Sequence, residues 1–188
     1  MKKNVRVLGI DDAPFSFDQD RTAIVGVVVR APGYVEGVLS SDVEVDGTDA
    51  TDRIIAMVKG SRFKVQLKAV LLDSGCVGGF NVVDIERVHR ELGIPVITLT
   101  KDEPDVASIK RALRAHFDDW EARFEHLSKP ITVTRSLRYR LFIRAVGMKV
   151  EEAERLLAAC TVRGAIPEPV RLAHIIASGV FSGESKRP

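Results

Sequence analysis

The sequence predicts an α/β protein whose mixed sheet opens with three antiparallel strands and carries helices on both faces. Three observations lead there. An apolar run, Val5 to Asp12, ends abruptly in two adjacent carboxylates. Two further strand-like segments, Thr22 to Arg30 and Tyr34 to Val45, are joined only by Ala31-Pro32-Gly33, too short for a parallel return, so they pair antiparallel. Beyond them, helical spacings alternate with short apolar runs, the pattern of strands linked by crossover helices.

Taken in order, Ala13 to Asp20 reads as a loop, and Asp46-Gly47 closes the third strand. Thr48 or Asp49 can cap a helix that turns Ile54, Ile55 and Val58 inward and ends near Gly60. Lys68 to Asp73 is a second apolar run ending in a carboxylate, followed by the glycine-rich loop Ser74 to Phe80. Asn81 or Asp84 starts a helix with Ile85, Val88 and Leu92 on one face and Gly93 at its end. Pro95 to Lys101 is a fifth strand. Apolar residues then recur three and four apart from Asp105 to Leu127, as in one long helix. Ile131 to Val133 and Leu137 to Ala145 read as strands, Val150 to Cys160 as an amphipathic helix, and Pro169 opens a last helix running to about Ser178. Residues 1–182 are expected to form one domain, with residues 183–188 as a frayed tail.

Bulk properties narrow the class. A chain of 188 residues with 45% hydrophobic and 29% charged residues suits one well-buried core. No segment approaches a membrane-spanning length, and Met1-Lys2-Lys3 is followed by no signal-peptide core, so the expected location is cytoplasmic. Cys76 and Cys160 form neither a disulfide framework nor a zinc motif. The net charge of +2 is uninformative, but acids crowd residues 11–52 and bases crowd residues 135–149.

Three strands end in acids: Asp11, Asp46 (with Glu44 just before it) and Asp73. Converging carboxylates repel one another unless a cation sits between them, and hard oxygen ligands suit Mg²⁺ or Mn²⁺. Taken singly, each Asp is more readily explained as a turn or helix cap; the three together, on a meander start, point to metal binding. A phospho-acceptor receiver domain would also use Asp11-Asp12, Asp73, Thr100 and Lys129-Pro130. Receivers, however, are built from successive βαβ units, and two antiparallel strands intervene here.

The strand and helix order is that of the ribonuclease H-like fold, and the chain resembles the endonuclease V-like nucleases, most closely the archaeal endonuclease dU family. Gly9-Ile10-Asp11 stands where that superfamily has Gly-Val-Asp, Val45-Asp46-Gly47 resembles its Arg-Glu-Gly, and Leu71-Leu72-Asp73-Ser74-Gly75 its apolar-Asp-Gly-x-Gly. Ile94 to Lys101 is similar to its Ile-Pro-Thr-Ile-Gly-Val-Ala-Lys strand, and Ile166-Pro167-Glu168-Pro169-Val170-Arg171-Leu172-Ala173-His174 to a late segment ending in an active-site histidine.

The resemblance implies a Mg²⁺- or Mn²⁺-dependent endonuclease of DNA repair, acting on DNA that carries deoxyuridine or deoxyinosine. Asp11, Asp46 and Asp73 would hold the metal, with Lys101 and His174 assisting. A non-catalytic nucleic-acid-binding protein, or a ribonuclease acting on inosine-containing RNA, are the alternatives. The second acid is Asp where the family has Glu, so Glu44 or Asp49 could share its role. The family's Pro-Tyr-Ile-Pro wedge is absent, Ser74 replaces a glycine, and Gly78 to Asn81 replaces a basic segment.

The resemblance further implies that Ser74 and Gly75 of the glycine-rich loop face the nucleic acid, while Arg138 and Arg140 on a basic strand face, equally readable as a charged solvent face, and Arg171 in the late motif can neutralise phosphates. Arg144 shares that strand face. His89, His116 and His126 read as helix-face residues, and Cys76 as incidental to the chemistry.

Overall fold

The computed structural model describes residues 5–136 and 139–185, with the side chains of Arg135 and Ser136 excluded. Among these residues, nine strands and six α-helices follow one another as β1 (Arg6–Asp12), β2 (Arg21–Arg30), β3 (Tyr34–Glu44), α1 (Ala50–Lys59), β4 (Leu67–Asp73), β5 (Cys76–Val77), β6 (Asn81–Val82), α2 (Ile85–Leu92), β7 (Val96–Thr100), α3 (Val106–His116), α4 (Trp120–Leu127), β8 (Thr132–Ser136), β9 (Tyr139–Val146), α5 (Val150–Cys160) and α6 (Glu168–Ser182).

Seven strands form one sheet in the order β3-β2-β1-β4-β7-β9-β8. The first three are antiparallel, as the Pro-Gly turn requires, while β1, β4 and β7 run parallel in the centre. The C-terminal ends of those three strands therefore lie along one edge of the sheet, where side chains leave the packed core.

Alternation along the central strands divides the core into two layers. Leu8, Ile10, Val70, Leu72 and Val96 pack on α1 and α2 through Ile54, Val58, Ile85 and Val88. Val7, Ala69, Leu71, Ile97 and Leu99 face the other way and meet Leu156, Leu157 and Cys160 of α5 and Val170 of α6. Ala173 and Ala177 carry α6 across β2. No helix among the described residues is long and apolar enough to cross a membrane.

One expected element divides. The helix read over residues 105–127 is two, because Phe117 takes an extended backbone with φ −135° and ψ 130°. The break turns the Phe117 ring under the Arg123 guanidinium at 4.2 Å and edge-on to Phe80 at 5.8 Å. Side-chain periodicity continues through the kink because both halves pack inward. The glycine-rich loop holds a small hairpin, β5 with β6, and α6 extends four residues past Ser178 to Ser182.

Candidate active site

The site is built on the alternation of the central strands. Val7, Gly9 and Asp11 share one face of β1, and Ala69, Leu71 and Asp73 share the same face of β4. Gly9 pairs with Leu71 and Ile10 with Leu72, so this register runs on to Asp11 beside Asp73, about 4.8 Å of strand spacing apart. On β7 the same parity runs through Ile97 and Leu99 to Lys101.

Helix α6 closes over this row. Gly9 permits it: a Cβ there would lie 2.1 Å from the carbonyl carbon of Pro169. From Gly9 to Asp11 the strand rises about 6.7 Å, and from Val170 to His174 the helix rises about 6 Å. The two elements thus stay in step, and His174 Nδ1 meets Asp11 Oδ2 at 2.8 Å. Asp11 Oδ1 accepts from the Asp12 amide at 2.9 Å.

The electrostatics follow from crowding. Burial, then the carboxylates of Asp73 and Asp12, push the Asp11 carboxyl up to about 8. Burial also raises Asp73, partly offset by the nearby His174 and Lys101, with Asp12 adding to the rise. The Nε2 atom of His174 is buried without a hydrogen-bond partner. Asp11, Asp73, Lys101 and His174 thus share one neighbourhood, with Asp12 beside them on the opposite strand face.

Asp46 reaches this edge from further away. Its strand, β3, is separated from β1 by β2. Asp46 takes a left-handed φ of 55° in the turn after β3. Its amide donates to the Gly78 carbonyl at 2.8 Å and its Oδ1 accepts from the Phe80 amide at 2.7 Å. Gly78 in turn donates to Asp12 Oδ2 at 2.6 Å, so residues 78–80 join the two acids. Asp49 is drawn instead into contacts with Asn81, Arg21 and Arg53, and Glu44 pairs with Arg21.

Among the described residues, the set of three metal-type side chains whose ligand atoms all lie within 4.8 Å of one another is Asp84, Glu86 and His126, not Asp11, Asp46 and Asp73. Glu86 in that set is already paired with Lys129 at 3.1 Å and with Arg144. No spacing in the sequence pointed to this group, since His126 enters from α4. Glu86 Oε2 and His126 Nδ1 are buried and unpartnered.

Asp73, Ser74, Gly75 and Lys101 also line a cavity of about 540 Å³ that runs under Phe80, Leu127 and Phe142 to His126 and Arg144. Ser74 holds a positive φ of 76° and its hydroxyl donates to the Cys76 carbonyl. Burial pushes the Cys76 thiol up to about 12, away from the thiolate form that a nucleophile needs.

The expected nucleic-acid residues separate. Arg140 is exposed and stacks on Phe142 at 5.4 Å, whereas Arg144 of the same face is tied to Glu86 and to the His126 carbonyl. Arg171 is paired with Glu168, its Nη2 donating to Oε2 at 2.6 Å and its Nε to Oε1 at 2.9 Å. Arg138 lies outside the described residues. A residue not anticipated is Arg123, buried in α4 with its guanidinium on the carbonyls of Asp46, Gly47 and Phe80.

A mixed sheet of this order, with acids at the ends of β1 and β4, defines a ribonuclease H-like protein of endonuclease V-like architecture. The endonuclease dU family model matches residues 3–181, and the chain belongs to that family. A UPF0215 protein of Methanothermobacter thermautotrophicus is 45% identical over 188 residues, spanning 99% of this chain and 92% of its own. A crystal structure of a protein of unknown function from Archaeoglobus fulgidus superposes with a TM-score of 0.82 at 40% identity, over 93% of this chain and 97% of that one. The fold extends to endonuclease V of Ciona intestinalis, solved with a 24mer DNA containing an inosine followed by a ribo-adenosine: TM-score 0.63, 14% identity, covering 96% of this chain and 87% of that one.

Proposed function

We propose that the protein is a Mg²⁺- or Mn²⁺-dependent endonuclease that cuts a phosphodiester in DNA carrying a deaminated base, deoxyuridine or deoxyinosine, in DNA repair in the cytoplasm. The observation that carries this reading is the row of Asp11, Asp73, Lys101 and His174 at one sheet edge, opening on a cavity that begins at Asp73.

The donor chemistry fits a hard divalent cation. Asp11 and Asp73 offer oxygens, and the raised Asp11 carboxyl marks a cluster short of positive charge. Asp11 and Asp73 would hold the ion, with Asp46 as the third acid. A bound Mg²⁺ or Mn²⁺ supplies Lewis acidity and a water of lowered pKa.

The chain's own residues supply the rest. Lys101 sets a point charge at the strand end beside Asp73, where it stabilises charge developing on a phosphate. His174, oriented by Asp11 through Nδ1, keeps Nε2 for a proton at the reacting centre. Ser74, Gly75 and Phe80 wall a space large enough for one extruded base. Extrusion costs a few kcal/mol of stacking, least for a damaged or mispaired base, which favours lesions over normal pairs. Arg138 and Arg140 would meet the backbone phosphates.

The reading is tested with labelled oligonucleotides holding deoxyuridine, deoxyinosine, inosine or no lesion, each with Mg²⁺ or Mn²⁺. Cutting of one lesion strand well above the unmodified strand is expected. Preferential cutting of inosine-containing RNA would move the substrate to RNA, and binding without cutting would leave a nucleic-acid-binding protein.

A further inference from the structure

We infer that Arg123 is a positioning residue that locks the Asp46 turn to the wall of the cavity, so that the acid and the base pocket move as one unit. This rests on the reading of Asp46 as part of the metal set.

The side chain of Arg123 is only 8% exposed, and a buried guanidinium persists only when its donors are used. Here they are. Nη1 lies 2.9 Å from the Asp46 carbonyl, 3.0 Å from that of Gly47 and 2.7 Å from that of Phe80. Nε donates to Asp119 at 2.8 Å, and the guanidinium plane rests on the Phe117 ring. One side chain of α4 therefore gathers two loops that are 34 positions apart in the chain.

The second half of the link is Phe80. Its ring lines the cavity and packs edge-on to Phe117. Its amide donates to Asp46 Oδ1 and its carbonyl accepts from Arg123. A base entering the cavity meets a ring whose own peptide groups hold the carboxylate of Asp46 and the clamp behind it. Asp46 holds a left-handed φ of 55°, and the bonds to its carbonyl and to its Oδ1 keep the turn in that shape. Gly79 leaves room for it, since a Cβ there would come within 2.2 Å of Asp46 Oδ1.

A positioning role is separable from simple stability by metal affinity. Mn²⁺ binding is measured by calorimetry on the full-length protein, its Arg123→Met, Arg123→Gln, Arg123→Lys and Asp46→Asn variants, and the Met–Asn double variant. Loss of a group that orients a metal ligand weakens binding about tenfold or more. Arg123→Met and Asp46→Asn are each expected to weaken Mn²⁺ to that extent, the double variant no further than Asp46→Asn alone, and Arg123→Lys to recover part of the loss. On a lesion oligonucleotide, Arg123→Met lowers kcat with KM for DNA little changed.

Parent-like Mn²⁺ affinity in Arg123→Met, or in Asp46→Asn, overturns the inference, as does a double variant weakened by the product of the two. If the methionine variant does not fold, Arg123→Gln carries the comparison, and parent affinity there is equally fatal. A parent that cuts no oligonucleotide would sink the nuclease reading, while the Mn²⁺ series still decides the role of Arg123.

Discussion

His174 Nδ1 lies 2.8 Å from Asp11 Oδ2, joining residues 163 positions apart. A helix near the C-terminus thereby orients its ring on the first strand of the sheet. Replacing His174 by Ala removes both that contact and the Nε2 proposed to handle a proton. For a group in general acid–base work the expected loss is about 10²- to 10⁴-fold in kcat, with KM for DNA nearly constant. Single-turnover cleavage at saturating metal checks it.

The Asp11 carboxyl sets a pH dependence whose sign is unusual for an acid. Its folded value, about 8, lies above its ordinary 3.8. Between those values the folded chain keeps a proton that the unfolded chain releases. Stability of the metal-free protein therefore falls as pH rises from about 4 towards 8. Asp73 is raised too and adds the same sign. Thermal melts in a chelator should show this slope, Asp11→Asn should flatten it, and added Mn²⁺ should raise the parent's melting point most at pH 8. A variant that melts with the parent's slope would count against the assignment.

Gly9 is expected to be intolerant even of alanine. The added methyl would meet backbone atoms of Pro169 and Val170, which cannot rotate away. Overpacking against backbone costs about 3 kcal/mol or more, or about 6–12 °C in melting temperature for a chain of this size. Because α6 must lift, His174 leaves Asp11 and activity falls further than stability alone requires. Calorimetry and cleavage on Gly9→Ala measure both.

Arg140 and Arg171 should part company in the salt dependence of DNA binding. Arg140 is exposed beside the cavity, so Arg140→Ala should lower the slope of log K against log salt by about one. Arg171 spends its guanidinium on the buried Glu168. Arg171→Ala should leave the slope unchanged and cost about 1–2 kcal/mol of stability, from the carboxylate left without its partner.

What could be read in the sequence followed from local rules. The antiparallel start came from a three-residue turn, and the shared face of Asp11 and Asp73 follows from strand alternation once the two strands are adjacent and in register. The Gly-Ile-Asp and Pro-Glu-Pro-x-Arg-Leu-Ala-His matches singled out Asp11 and His174, and the structure brings the two side chains into contact, with Gly9 against Pro169. Tertiary pairings were not legible. Glu168 stands three residues before Arg171 on α6, a spacing that offers the pair, but nothing in the sequence chooses that carboxylate over a phosphate. Nothing in α4 marks Arg123 as a clamp on Asp46, because the acceptors it reaches outside its own helix are backbone carbonyls and carry no side-chain signature. The break at Phe117 was hidden because apolar residues recur three and four apart on both sides of it, so periodicity does not register the change in backbone.

The most direct measurement is Mg²⁺-dependent cleavage of a deoxyuridine or deoxyinosine oligonucleotide by the parent and by Asp73→Asn, which keeps the shape of the side chain and removes its charge. The parent should cut only with the metal present, and Asp73→Asn should lose at least about 10²-fold in rate, as expected for a group that holds charge at the reacting centre. Cutting at the parent's rate by the variant, or cutting unaffected by a chelator, would contradict a metal centre built on these acids.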